Sequence, residues 1–106
     1  KTAEADKSIV RPTFSYMGDF VISDEVIIQL AIHEALKVDG IYKITNINIR
    51  KTVHGAHIDI SAIVKFGYNI PSVCRKAQYL IRETIEKLAS VNVRRVHFLV
   101  KNIYVE

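Results

Sequence analysis

His54 and His57, with two residues between them across a Gly55-containing turn, are the pair whose types and spacing come nearest to holding a metal ion. A zinc site needs at least three protein ligands, and no third Cys, His or carboxylate stands at a fitting spacing, so no metal site is expected. Cys74 falls on the apolar arc of a helix near its N-terminus. The helix dipole would lower a thiol pKa there, but burial would raise it, and a small core residue is expected. His33 and His97 face solvent on their elements, and no Ser or Cys joins them in a triad pattern. Asp24 and Glu25 are explained by a helix N-terminus, and Glu83 and Glu86 by pairing with Arg82 and Lys87. Gly18, Gly40, Gly55 and Gly67 each mark an element boundary, and none belongs to a phosphate-cradling loop. No catalytic residue, cofactor or small-molecule substrate is therefore expected. The chemistry left is that of a surface: Arg75, Arg82, Arg94, Arg95 and Lys101 for charge, Tyr68 and Tyr79 for aromatic contact.

The chain that must position these residues has 106 residues, enough for one core. Apolar residues make up 49% of it, yet no apolar run exceeds four residues, so no transmembrane segment is expected. It opens on Lys1 without a signal-like segment, and its single cysteine cannot form an intramolecular disulfide; both fit a cytoplasmic protein. The net charge of +4 is unevenly placed. Residues 1–64 hold 7 Lys/Arg against 8 Asp/Glu, whereas residues 65–106 hold 8 against 3.

Residues 1–17 lack a period and read as a flexible arm, with one domain over 18–106. Asp19–Ile22 is a short extended piece. Ser23 then caps a helix over 24–38, with Ile27, Ile28, Ala31, Ile32, Ala35 and Leu36 on its inner arc and Val26 and Leu30 stranded on the polar side. Asp39-Gly40 ends that helix. Tyr42 to Val53 is strand-like, but Ile44 breaks the parity of Ile47, Ile49 and Val53, which predicts a bulge near Thr45-Asn46. After the turn at His54–Ala56 comes a cleaner strand: Ile58, Ile60, Ala62, Val64 and Phe66 share one face, and His57, Asp59, Ser61, Ile63 and Lys65 the other. At 71–89 a second amphipathic helix follows, and a last strand runs over 93–105 with a parity slip near Asn102.

The joint between the third of these strands and the second helix organises the rest. In Lys65-Phe66-Gly67-Tyr68-Asn69-Ile70-Pro71-Ser72, Gly67 and Asn69 suit turn dihedrals and Pro71 suits a first helical turn. The order β-α-β-β-α-β gives an α+β, two-layer fold, a mixed sheet with both helices on one face.

Four segments carry a resemblance. Gly18-Asp19-Phe20-Val21-Ile22-Ser23-Asp24-Glu25-Val26, Val38-Asp39-Gly40-Ile41, Phe66-Gly67-Tyr68-Asn69-Ile70-Pro71-Ser72-Val73 and Val91-Asn92-Val93-Arg94-Arg95-Val96 resemble, in order, motifs of the alkaline shock protein family, the cell-envelope stress proteins of Gram-positive bacteria. The likeness spans residues 18–105. It departs at Phe66, where Tyr is usual, at Ile41, where Val is usual, and in a hairpin without the usual acidic turn. It implies no catalytic residues. What it implies is a role in envelope homeostasis under stress, a cytoplasmic place at the inner face of the membrane, a membrane-anchored protein partner and self-assembly into a homo-oligomer.

The residues and the resemblance together predict a non-enzymatic interaction module whose partner contacts are Val26, Leu30, Ile63 and Leu99. The alternative is a small basic nucleic-acid-binding module, which the expected wet faces disfavour: they offer His57, Asp59, Ser61, Ile63 and Lys65, then His97, Leu99 and Lys101, with no aromatic pair.

Overall fold

The computed structural model describes residues 16, 17 and 20–106 of the chain. Most of the expected N-terminal arm thus lies outside the described residues, but Tyr16–Met17 (β1) pairs antiparallel with Phe20–Val21 (β2) as a ribbon of its own. The order continues with a helix Asp24–Ala35 (α1), strands Ile41–Thr52 (β3) and Gly55–Lys65 (β4), a helix Ile70–Leu88 (α2) and a strand Val93–Tyr104 (β5). The expected opening strand is therefore joined by a second short one, and neither belongs to the main sheet. That sheet has the order β3-β4-β5, with β3 antiparallel and β5 parallel to the central strand. The fold is α+β, as expected.

Both helices begin where local chemistry can satisfy their free N–H groups. Ser23, extended at φ −77°, accepts the Val26 N–H on its hydroxyl, and Asp24 and Glu25 fill the first turn. Asp24 also pairs with Lys51, which ties the start of α1 to β3. Asn69 is the cap of α2: its Oδ1 accepts the Ser72 N–H at 2.9 Å, and its φ is an ordinary −74°. The turn dihedral expected there falls to Gly67 alone, at φ +99°.

α1 ends at Ala35, three residues before the expected Val38, because the Lys37 and Val38 N–H groups bond Glu34 and Ala35 in tightened turns. Its inner face is also rotated from the expected arc. Ile27, Ala31 and Ala35 are buried and Leu30 packs against the same core, whereas Leu36 is exposed. α1 meets α2 on one side and β3 on the other, so residues flanking the central stripe are drawn in on both sides.

The strands obey the alternation of their sequence more closely. Ala56, Ile58, Ile60, Ala62 and Val64 of β4 are buried, and all of them but Ala62 share one core cluster with Val73, Ala77, Ile81 and Ile85 of α2. Phe66 departs from the pattern: β4 stops at Lys65, and Phe66 is 72% exposed. Ile44, Ile47 and Ile49 all reach the core, because the register of β3 slips between Ile44 and Asn46, where the bulge was expected. A second slip, between Ile41 and Lys43, leaves Tyr42 as an extra residue.

Polar side chains of α2 bind the strand that follows it. Gln78 Nε2 donates to the Val96 carbonyl at 2.9 Å, and Glu86 accepts the Val93 N–H at 3.0 Å. Glu86 thus has a backbone partner, which the expected pairing with Lys87 did not include. Cys74 is half-buried and burial pushes its thiol pKa up, in line with a packing role.

Glu34 makes one contribution that depends on pH. Its carboxylate lies 3.0 Å from the Lys37 ammonium and 3.3 Å from His33, and Lys37 above all holds its pKa below the ordinary 4.5, against the opposing pull of burial. A carboxylate depressed in the folded state stabilises above its unfolded pKa and loses that contribution as pH falls through the folded value. Glu34→Gln should therefore lose less stability than the wild type when urea unfolding is compared at neutral pH and near pH 3. Equal losses in the two proteins would show that Glu34 is not part of the acid response.

Candidate functional site

The joint expected to organise the chain does so in space. The Lys65 N–H donates to the Gly40 carbonyl at 2.7 Å, and the Phe66 N–H to the Tyr104 carbonyl at 2.8 Å, so the loop before β3, the end of β4 and the end of β5 meet there. Tyr68 lies over Gly40, close enough that a Cβ on Gly40 would sit 2.9 Å from its ring. Phe66, Tyr68, Ile70 and Val105 are exposed around this joint and give one end of the molecule an apolar surface.

The helices cover one face of the sheet and leave the other open. Rows across the open face follow from the register: Arg50, His57 and Arg95; Asn48, Asp59 and His97; Asn46, Ser61 and Leu99; Lys43, Ile63 and Asn102; then Lys65 and Tyr104. β5 slips register between its partners Ala62 and Ile63, near the expected Asn102, and this sends Ile103 inward and Tyr104 outward. Tyr42, the extra residue of β3, then stacks on Tyr104 with ring centroids 3.9 Å apart and planes within 2°. The strands carrying these rings flank β4, so the pair bridges the sheet over its open face. The outer faces of β4 and β5 hold no aromatic pair between them, as expected; the pair forms with β3, and its cause is two bulges that change strand parity.

The expected contact residues separate into distinct regions. Ile63 and Leu99 lie in neighbouring rows of the open face, Leu99 at 49% exposure and Ile63 half-buried. Arg95 shares that face, and Lys101 stands at the bulge beside it. Arg94 is exposed at the register slip beside Gly55. Arg75 and Arg82 are exposed on α2, in the helical layer. Val26 is 43% exposed on α1, but Leu30 turns into the core.

The sequence reading missed Tyr42, Tyr104, Lys43 and Arg50 as members of one surface, and the only signals for them were the parity breaks at Ile44 and Asn102. His57 lies between two arginines, Arg50 and Arg95, a poor setting for a metal cation. Among the described residues no group of three His, Cys, Asp or Glu is arranged to hold one.

A two-layer α+β domain with both helices on one sheet face is also the fold of the MamM CTD. Its solved structures include residues 215–293 of that protein (TM-score 0.64, 13% identity, covering 76% of this chain and 99% of that one). A point variant gives 0.63, 12%, 77% and 95%, and a zinc form of a variant gives 0.61, 12%, 74% and 84%. At such identities the likeness is one of fold. No curated protein matches the chain. The family model of the alkaline shock proteins, described as having a cell envelope-related function, matches residues 43–105. This is more than half of the chain, and the protein belongs to that family, as the resemblance implied; the match contains the segments Phe66–Val73 and Val91–Val96, and the segments at 18–26 and 38–41 lie before it.

Proposed function

We propose that the protein serves the cell envelope without catalysing a reaction, by associating with itself and with a membrane-anchored protein at the inner face of the membrane. The observation that carries this reading is the apolar surface at the joint: Phe66 at 72% exposure, its N–H bonded to the Tyr104 carbonyl, beside exposed Tyr68, Ile70 and Val105. Contiguous apolar surface of this kind is characteristic of protein contacts. Among the described residues no helix is long and apolar enough to cross a membrane. Val26 and Leu99 supply further apolar contact on other sides of the molecule.

Light scattering after size-exclusion chromatography, over a wide range of protein concentration, tests this. The expected result is a mass that climbs with concentration for the wild type and not for Phe66→Asp, whose side chain is too exposed to matter for folding. The same variant should fail to retain the membrane-fraction protein that the wild type retains. A wild-type monomer at every concentration that also retains no membrane protein would sink the proposal. Val26→Asp and Leu99→Asp, run alongside, show whether those sides take part.

A further inference from the structure

We propose that the open sheet face binds a single strand of nucleic acid, with the Tyr42–Tyr104 pair as a stacking platform. The face carries Lys43, Arg50, Lys65 and Arg95 against one carboxylate, Asp59, whose Oδ2 lies 3.7 Å from the Arg50 Nε. The cations form two groups. Arg50 and Arg95 flank His57 at one end, and Lys43 and Lys65 stand at the other beside the tyrosines, with Lys101 at the adjoining bulge. From His57 to Lys65 the extended strand spans about 26 Å, room for about four or five nucleotides with phosphates near both groups.

The chemistry between the two ends decides among anionic partners. Asn46, Asn48, Ser61, His97 and Asn102 lie there and offer hydrogen-bond donors and acceptors at the level where bases would sit. Such groups would gain nothing against lipid chains, and only Ile63 and Leu99 beside them on this face are aliphatic, which disfavours a membrane surface. An acidic peptide would match the charge but would leave the stacked rings, exposed by 44% and 37%, without a flat partner. Bases have such a face whatever their sequence, so the site should select for single strands rather than for a motif. The stacking and cationic side chains of this face are not those of the apolar surface, although Lys65 and Tyr104 adjoin Phe66 and Val105 in the chain, so Phe66→Asp and Tyr104→Ala test the two readings separately.

The test is fluorescence anisotropy of the full chain with a labelled ten-residue oligouridylate, titrated at several salt concentrations. Affinity should fall as salt rises, with a log–log slope of about −3 for four phosphate contacts. Tyr104→Ala should weaken binding about tenfold or more, and Arg95→Ala should shallow the slope by about 0.7. Tyr104→Phe, which keeps the ring, should bind like the wild type and guards against misreading a folding defect. Polyglutamate of the same length and vesicles rich in anionic lipid are the competitors. Displacement of the oligonucleotide only by unlabelled single strands is the expected result. Failure to bind at low salt, binding unchanged by Tyr104→Ala, or equal displacement by polyglutamate or vesicles would overturn the proposal.

Discussion

Gly40→Ala is expected to lose about 2–4 kcal/mol of stability, the sum of left-handed backbone strain and overpacking at a tight contact. Gly40 has φ +102°, and its added Cβ would lie 2.9 Å from both the Tyr68 ring and the Val73 Cγ2. Neither neighbour can give way freely. Val73 is buried in the core of α2, and Tyr68 is held in the short joint between Gly67 and the helix cap at Asn69. Because Gly40 also accepts the Lys65 N–H, a shift of its backbone would disturb the end of β4. Gly67→Ala is the internal comparison: its φ is +99°, but nothing lies within 4 Å of the new Cβ. It should cost only the strain, about 1 kcal/mol. Chemical denaturation of both variants separates the two effects, and equal losses would show that the contact with Tyr68 and Val73 is loose.

Leu30→Asp should be the more damaging of two charge substitutions on α1, with a loss of about 2–3 kcal/mol against less than about 0.5 kcal/mol for Val26→Asp. On a helical wheel the two residues look alike, both apolar on a polar side. In the fold they differ: Leu30 packs against the core, and Val26 stays 43% exposed. A change of assembly in Leu30→Asp would therefore follow from loosened packing and would not locate an interface. Urea unfolding of the two variants checks this, and the same small loss in both would mean that Leu30 contributes no core packing.

Much of the framework was legible because it is written in short-range chemistry. Ser23 and Pro71 mark helix starts through groups only one or two residues away. The β4 alternation survives because that strand is central, with a bonded neighbour on each side and helices over one face. The parity breaks near Thr45 and Asn102 also pointed to real register slips. What they did not reveal was which residue becomes the extra one and to which side its neighbours turn, since strand parity is counted from the partner strand.

The candidate surface depends on that second kind of information. Taken alone, the sequence determined the order of the two helices and the three strands of the main sheet, the Ser23 cap, the glycine joint, the buried face of β4 and the family to which the chain belongs. Tertiary structure decided which arc of α1 is buried, because a helix packed on two neighbours hides more than its central stripe. It also decided that Phe66 leaves the sheet, through the Gly40 and Tyr104 carbonyls that bind the joint from distant parts of the chain. The stacking of Tyr42 on Tyr104 required both bulges and the placement of β4 between the two strands, a juxtaposition of residues 62 positions apart that no local pattern encodes.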